Sequence, residues 1–457
     1  MIHKFKQNNY NVVLDVNSGA IHLVDDVVYD FLDYISPNPY FPKFENLNLE
    51  NLRSKYKNSE LESAYRDIKS LHKEGLLFSK ENEENFNSLK ESLKTASVKS
   101  MCLNIAHDCN LKCKYCFAST GDFGTGRKLM SDEIAKKSIN FLIKNSGSRR
   151  NLEVDFFGGE PLINFEVLKN TVIYARGLEK ECNKNFRFTV TTNGLLLTDE
   201  VIDFINKEMS NVVLSLDGRK EINDFCRKTN SGTGSYDIIV PKFQKLVNNR
   251  KDKDYYVRGT FTRKNLDFSK DVMHLNDLGF EQISVEPVTC EKGSKFAIKE
   301  ENLEKIKREY ENLTNLIINV RKSGKYFNFF HFMLSLDGGP CILKKLKGCG
   351  CGVEYIAVTP EGDIYPCHQF VGKNEWKMGN VLNDKFSLGL RDIFVNSNIY
   401  NKEVCRQCWA KFYCSGGCNA NNFNENKDIL KPHKIMCELQ KKRLECAIIL
   451  QLEKLNV

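Results

Sequence analysis

Between residues 100 and 288, six apolar, strand-like runs alternate with helix-like segments, and this rhythm leaves few architectures open. The runs are 101–105, 152–157, 186–192, 212–216, 255–262 and 282–285. Between them lie helix-like segments at about 131–144, 162–182, 198–208, 235–248 and 269–278. Strands separated by helices pair in parallel, because the crossover returns the chain to the same end of the sheet. The prediction is an α/β fold with a parallel sheet under covering helices. Chemistry is then expected in the loops beyond the carboxyl ends of the strands.

Those loops hold the distinctive residues. After the first run come Cys109, Cys113 and Cys116, with three and then two residues between them. Three thiolates can converge on one inorganic cluster, and a [4Fe-4S] cube held by three cysteines keeps one iron free for a small molecule. A zinc loop is the alternative. The spacing, the lack of a fourth ligand close by, and the following Tyr115 and Phe117 favour iron and sulfur. After the second run stands Gly158-Gly159-Glu160-Pro161, where glycines allow close backbone approach and Glu160 can accept from an ammonium group. The third run ends in Thr192-Asn193-Gly194, and the fourth in Ser215-Leu216-Asp217-Gly218, which leads to Arg227. An arginine fork suits a carboxylate, although a surface ion pair would use the same residue. Glu286-Pro287 ends the sixth run and is placed on the adenine or substrate side.

Seventeen cysteines in 457 residues, most of them in two groups, suit cluster binding better than a disulfide framework, and the odd count excludes complete internal pairing. Residues 1–10 lack the apolar centre of a secretory signal, and the apolar run 447–450 is too short to cross a membrane, so the expectation is a cytoplasmic protein with no membrane partner. The net charge of +8 is spread over 67 basic and 59 acidic side chains, without a dense basic stripe. No nucleic-acid partner is expected.

Residues 1–96 read as a first unit. A strand at 11–16, a turn at 17–19 and a second strand at 20–23 precede a helix that starts at Asp25-Asp26 and buries Val27, Val28, Phe31, Leu32 and Ile35. A helix at 61–72 is stopped by Gly75, with 76–78 predicted as a further strand; 80–97 is a polar, helical or flexible linker. The α/β unit spans 97–299. A helical bridge covers 300–340, with an apolar face at Leu303, Ile306, Tyr310, Leu313 and Ile317. The last unit, 341–457, holds Cys341, Cys349 and Cys351, then Cys367, then Cys405, Cys408, Cys414, Cys418 and Cys437. Cys102, Cys182, Cys226, Cys290 and Cys446 read as ordinary buried thiols.

The stretch from Ala106 to Phe117 resembles the signature of radical S-adenosylmethionine (SAM) enzymes. That resemblance implies a partial (β/α)6 TIM-like barrel in which Cys109, Cys113 and Cys116 hold a [4Fe-4S] cluster, with SAM on its fourth iron. It implies reductive cleavage of SAM to a 5'-deoxyadenosyl radical, which abstracts a substrate hydrogen, and hence an electron donor such as flavodoxin or ferredoxin. By the same resemblance Gly158, Gly159 and Glu160 meet the SAM amino group, Thr192 and Asn193 the ribose, and Ser215 and Arg227 the carboxylate. Tyr115, Phe117 and Asp217 complete the cofactor-binding set. The last unit resembles the SPASM domain, which carries auxiliary clusters. In that pattern Cys405, Cys408, Cys414 and Cys437 hold one [4Fe-4S] cluster, while Cys367 and Cys418 join two upstream cysteines at another. Cys341 and Cys349 are the expected pair, with Cys351 a possible substitute or an iron left open. Three clusters are implied in all.

The hairpin and helices of residues 1–96 resemble the winged helix-turn-helix domain that recognises precursor peptides; a DNA-binding or purely packing unit is the alternative. With all three units in this order, the chain resembles the maturases of SCIFF peptides, on Gly339-Pro340-Cys341, Gly348-Cys349-Gly350 and the run Thr359 to Phe370. The implied reaction joins a cysteine sulfur to a carbon, expected at threonine, in a Cys-rich precursor peptide with a leader. An anaerobic sulfatase-maturing enzyme, which makes formylglycine, is the competing reading. In that family an aspartate follows the cysteine matching Cys367, whereas this chain has His368. A non-catalytic zinc or iron-sulfur module is the alternative of another class.

Overall fold

The structure is a computed structural model and describes residues 1–37, 40–81, 91–290, 293–335, 346, 348–383 and 385–455. The first unit opens on an antiparallel sheet of β1 (Ile2–Gln7), β2 (Tyr10–Asp15) and β3 (Ile21–Val24) in that order. Asn8 and Asn9 carry the tight β1–β2 turn in left-handed backbone, which asparagine tolerates better than most residues. β1 was not expected. Its outward contacts are polar, with His3 and Gln7 reaching Glu445 and Cys446 of the last helix, so no hydrophobic alternation marks it. Conversely, 76–78 forms no strand: the carbonyls of Leu76 and Leu77 accept from the His22 and His72 side chains instead. Asp25 caps the helix Asp26–Phe31 by accepting from the Val28 amide at 2.8 Å, as its sequence position predicts. Most of the linker, residues 82–90, lies outside the described residues.

The strand-helix rhythm becomes the expected parallel sheet. Its strands are β4 (Ser100–His107), followed by the short β5 (Leu111–Cys113) and β6 (Lys128–Leu129), then β7 (Asn151–Gly158), β8 (Asn185–Thr192) and β9 (Asn211–Ser215). After β10 (Arg227–Thr229) come β11 (Asp254–Phe261) and β12 (Gln282–Pro287). The order β12-β11-β9-β8-β7-β4 is parallel throughout and makes a radical SAM partial barrel. Helices Asp132–Asn145, Phe165–Leu178, Asp199–Glu208, Tyr236–Asn248 and Phe268–Asp277 cover it. Alternate strand residues such as Leu152, Val154 and Phe156 are buried against those helices.

Beyond the barrel the helix Leu303–Lys322 buries the predicted face of Ile306, Tyr310, Leu313 and Ile317. The helical bridge expected over 300–340 is one long helix only as far as Lys322, because β13 (Asn328–Phe329) instead adds in parallel to β12. The C-terminal SPASM domain then enters the same sheet. β14 (Tyr355–Val358) runs parallel to β4, pairing Tyr355 with Ser100 and Val358 with Leu103. β15 (Asp363–Tyr365), β16 (Gly379–Asn380) and β17 (Lys385–Phe386) continue it antiparallel.

The closing helix, Lys434–Leu455, ties the units together. Cys446, Ala447, Ile448 and Ile449 sit in the barrel's main core, and Arg443 Nε donates to Tyr310 at 2.8 Å. His3 Nε2 of β1 donates to the Glu445 carboxylate at 3.0 Å, and the ring stacks on Trp409 with ring centroids 3.7 Å apart. Ile448→Ala is therefore expected to cost about 3 kcal/mol, and His3→Ala, a partly exposed contact, under about 1 kcal/mol. Denaturant unfolding of both variants measures the difference.

Candidate active site

β4 ends at His107, and the chain turns at once into the loop that carries Cys109. The β5–β10 ladder then fixes the rest, placing Cys113 opposite Arg227 and Leu111 opposite Thr229. The Cys116 amide donates to the Cys113 carbonyl at 3.1 Å, and the Leu111 amide donates to Cys109 Sγ at 3.4 Å. Gly158 and Gly159 press against this loop. A Cβ on Gly159 would lie 2.2 Å from the Asp108 carbonyl oxygen, and one on Gly158 would lie 2.2 Å from that of Ala106. The Glu160 amide donates to the Asp108 carbonyl at 2.8 Å. These glycines thus hold the cysteine loop in place as well as bordering the cavity.

The cavity, of about 190 Å³, is lined by Cys109, Cys113, Tyr115, Cys116, Phe117, Gly158, Gly159, Glu160, Thr192, Asn193, Ser215 and Arg227. One predicted residue does not reach it. Asp217 is fully buried behind the wall, where it accepts from the Tyr115 hydroxyl at 2.7 Å, Arg227 Nη2 at 3.0 Å and the Thr260 amide at 3.0 Å. It positions Arg227 and Tyr115 and does not itself border the cavity.

The charges in the cavity are incompletely matched. Glu160 accepts from the Thr192 hydroxyl at 2.8 Å, the Asn193 amide at 2.8 Å and the Leu162 amide at 3.1 Å. Burial still pushes its carboxyl up to about 7. Arg227 keeps a buried Nε with no hydrogen-bond partner among the described residues. A zwitterion with an ammonium near Glu160 and a carboxylate near Arg227 would complete both groups.

Three groups of cysteines emerge. Cys109, Cys113 and Cys116 lie within electrostatic reach of one another. Burial pushes Cys109 and Cys113 up to about 12, so an anionic sulfur there needs a metal cation beside it. Cys405, Cys408, Cys414 and Cys437 interact as a second group. Cys349, Cys351, Cys367 and Cys418 form a third, in which the Cys351 thiol donates to Cys367 and holds it below its ordinary value. Cys341 lies outside the described residues, whereas Cys351 is inside the group. Among the described residues no three His, Cys, Asp or Glu side chains close on a single ion site. Cys102, Cys226 and Cys446 are buried as expected; Cys182 and Cys290 are only half-buried.

Sequence reasoning placed Glu286 on the far wall, which it lines, but missed its partners. Arg258 pairs with Glu286, and His331 lies 3.7 Å from the same carboxylate. Burial alone would raise Glu286, but Arg258 brings it down to about 2. An arginine at an inward position of a barrel strand was the available signal. From the SPASM side, His368 and Gln369 reach the cavity because β14 pairs with β4. His368 sits against Phe157 and Phe117, with centroids 4.9 and 5.7 Å away, and burial brings it down to about 4.

The sequence profile of the Radical SAM superfamily matches residues 103–260, and that of the SPASM iron-sulfur cluster-binding domain matches 349–419. The chain carries a radical SAM domain followed by a SPASM domain. These domains imply [4Fe-4S] clusters and SAM, and the three thiol groups, the unmatched Glu160 and the spare Arg227 donor fit them. The cysteine-type anaerobic sulfatase-maturating enzyme of Clostridium perfringens is 25% identical, over 70% of this chain and 89% of the relative. Radical SAM cyclopropyl synthase TigE of Paramaledivibacter caminithermalis is 22% identical, over 96% of this chain and 92% of the relative. Among solved structures, native anSMEcpe with bound AdoMet and Kp18Cys peptide superposes with a TM-score of 0.65 at 20% identity, covering 78% of this chain and 99% of that one. Streptococcus suis SuiB bound to S-adenosylmethionine gives 0.54 at 18%, covering 95% and 98%. Among the described residues no helix is long and apolar enough to cross a membrane.

Gly159→Ala is expected to lower iron bound at the first cysteine group by at least about tenfold, read by iron and sulfide analysis, because the new Cβ displaces the loop. Below the cavity, burial and then the Glu153 charge push Asp155 up to about 7. The folded state thus holds this proton more tightly than the unfolded one, and its contribution is present below about pH 4 and lost as pH rises to about 7. Asp155→Asn should accordingly raise the thermal midpoint at pH 8 and leave it nearly unchanged at pH 4.

Proposed function

We propose that this radical SAM/SPASM chain forms thioether crosslinks in a Cys-rich, leader-bearing precursor peptide. The observation that carries the reading is a second cleft that shares a wall with the cavity. Val288 and Thr289 border both the cavity and a cleft of about 550 Å³ between residues 288–300 and the helix Asn419–Asn426. A linear polymer can pass there while one of its residues sits in the cavity. Relatives support the same choice. SuiB has been solved bound to precursor peptide SuiA, covering 93% of this chain, and TigE also spans nearly all of it. The first unit supplies a docking edge: β3 pairs only with β2 among the described residues, and Leu23 is exposed on it. An extended leader can add there as a further strand.

When bound, the cluster and SAM supply a carbon-centred radical. The chain's own residues do the rest. Glu160 and Arg227 orient the cofactor's amino and carboxylate ends, Tyr115 and Asp217 keep the guanidinium in place, and Phe117, Phe157 and His368 wall off water beside the substrate position. The net substrate change breaks one C–H and one S–H bond and makes one C–S bond. The cofactor held by Glu160 and Arg227 would take up the hydrogen atom, the thiol proton would pass to solvent, and the remaining electron would pass to an oxidised iron-sulfur cluster held by the SPASM cysteines. A second reading, formylglycine formation, is favoured by the sulfatase-maturating relatives. Against it stand the first unit and His368 in place of an aspartate.

Incubation with such a peptide, SAM and reductant should give a product lighter by two hydrogens per crosslink, located by tandem mass spectrometry. An aldehyde at cysteine would instead establish the second reading. Leu23→Asp is expected to weaken leader binding by at least about tenfold, with peptide-independent deoxyadenosine release unchanged.

A further inference from the structure

Lys402 is 1% exposed, yet its ammonium has only neutral hydrogen-bond partners. Nζ donates to the Gly416 carbonyl at 2.9 Å and to Asn419 Oδ1 at 3.0 Å. Among the described residues no carboxylate pairs with it. Lys411 shows the ordinary arrangement: equally buried, it pairs with Glu81 at 3.0 Å. A buried ammonium persists only where an anion compensates it. Its backbone carbonyl accepts from the Cys405 amide at 2.9 Å, and Gly416 and Asn419, which hold Nζ, stand on either side of Cys418 in the chain. Burial disfavours the charged ammonium, and Cys405, Cys414, Cys418 and Cys437 oppose that effect. Cys418 belongs to one auxiliary group and the other three to the second, so the lysine stands between the two.

The surroundings are built around this side chain. Gly416 has a left-handed φ of +82°, and a Cβ there would lie 3.2 Å from both Nζ and Cδ of Lys402. Asn419 Oδ1 also accepts from the Ser397 hydroxyl at 2.8 Å, which turns the amide oxygen toward the ammonium. Neutral thiols would leave the cation uncompensated; metal-bound thiolates are anionic and would neutralise it.

We infer that Lys402 is a shared counter-charge for both auxiliary cysteine sites, raising the reduction potential of the clusters held there. The inference rests on the auxiliary-cluster reading of the SPASM domain. A cluster gains negative charge on reduction, and a fixed cation in a low-dielectric site favours that form.

Redox titration of the reconstituted full chain, followed by EPR of the auxiliary clusters, tests this. Lys402→Gln with wild-type iron and sulfide should shift reduction at least tenfold, about 59 mV more negative for a one-electron couple. Lys402→Arg should stay near the wild-type potential. If Lys402→Gln folds by circular dichroism but loses auxiliary iron, retention of that iron in Lys402→Arg supports the same role. Normal iron with an unmoved potential in Lys402→Gln overturns the inference and leaves the cluster reading intact. Equal loss of iron in both variants also overturns it, since shape and not charge would then govern. Absence of auxiliary iron from the wild-type chain would overturn the cluster reading itself.

Discussion

Hydrogen bonding along both edges of β4 is the constraint on which the site depends. One edge pairs with β7 from Ser100 to Ala106, with a register shift between Asn104 and Ala106; the other pairs with β14 from Ser100 to Leu103. All eight residues of β4 are buried, so a slip of one residue would turn every side chain to the wrong face. Because the cysteine loop begins two residues after this strand, its position is inherited from the ladder. The same ladder delivers His368 and Gln369, through the β14–β15 hairpin, to the opposite wall. The SPASM domain is therefore part of the barrel sheet and not an appendage to it.

Within that frame the buried charges divide into two kinds. Asp217 is spent on structure: it satisfies Tyr115, Arg227 and the Thr260 amide, and its loss would leave a buried guanidinium without its partner. Glu160 and Arg227 Nε are left incomplete toward the cavity. Completed pairs give rigidity, while incomplete ones give a site its appetite for a zwitterion. Lys402 repeats this logic in the SPASM domain, where a cation is buried before its counter-charge is supplied.

The closing helix shows how distant parts of the chain become one body. Cys437 sits near its start, Arg443 holds Tyr310 of the bridging helix, and Glu445 and Cys446 meet β1. The second cysteine group, the barrel core and the sheet of the first unit are thus linked by 22 residues.

Local sequence was enough to determine the six barrel strands, their helices and the residues at the strand ends, because period-two and period-3.6 patterns arise from nearest-neighbour geometry. It was enough, too, for the first three cysteines, which lie in one short loop. It did not reveal β1, whose outward partners are polar and more than four hundred residues away, or that Arg258 and His331, on two other elements, converge on Glu286. Asp217 was read as bordering the cofactor; only the packing of Tyr115 and Arg227 around it shows that it stands behind the wall. The grouping of Cys351 with Cys349, Cys367 and Cys418, and the placement of Lys402 between two thiol sets, were likewise decided by tertiary structure. Spacing along a chain limits which ligands can meet, but the approach of remote segments selects among them, and that approach is set by the β4–β14 ladder.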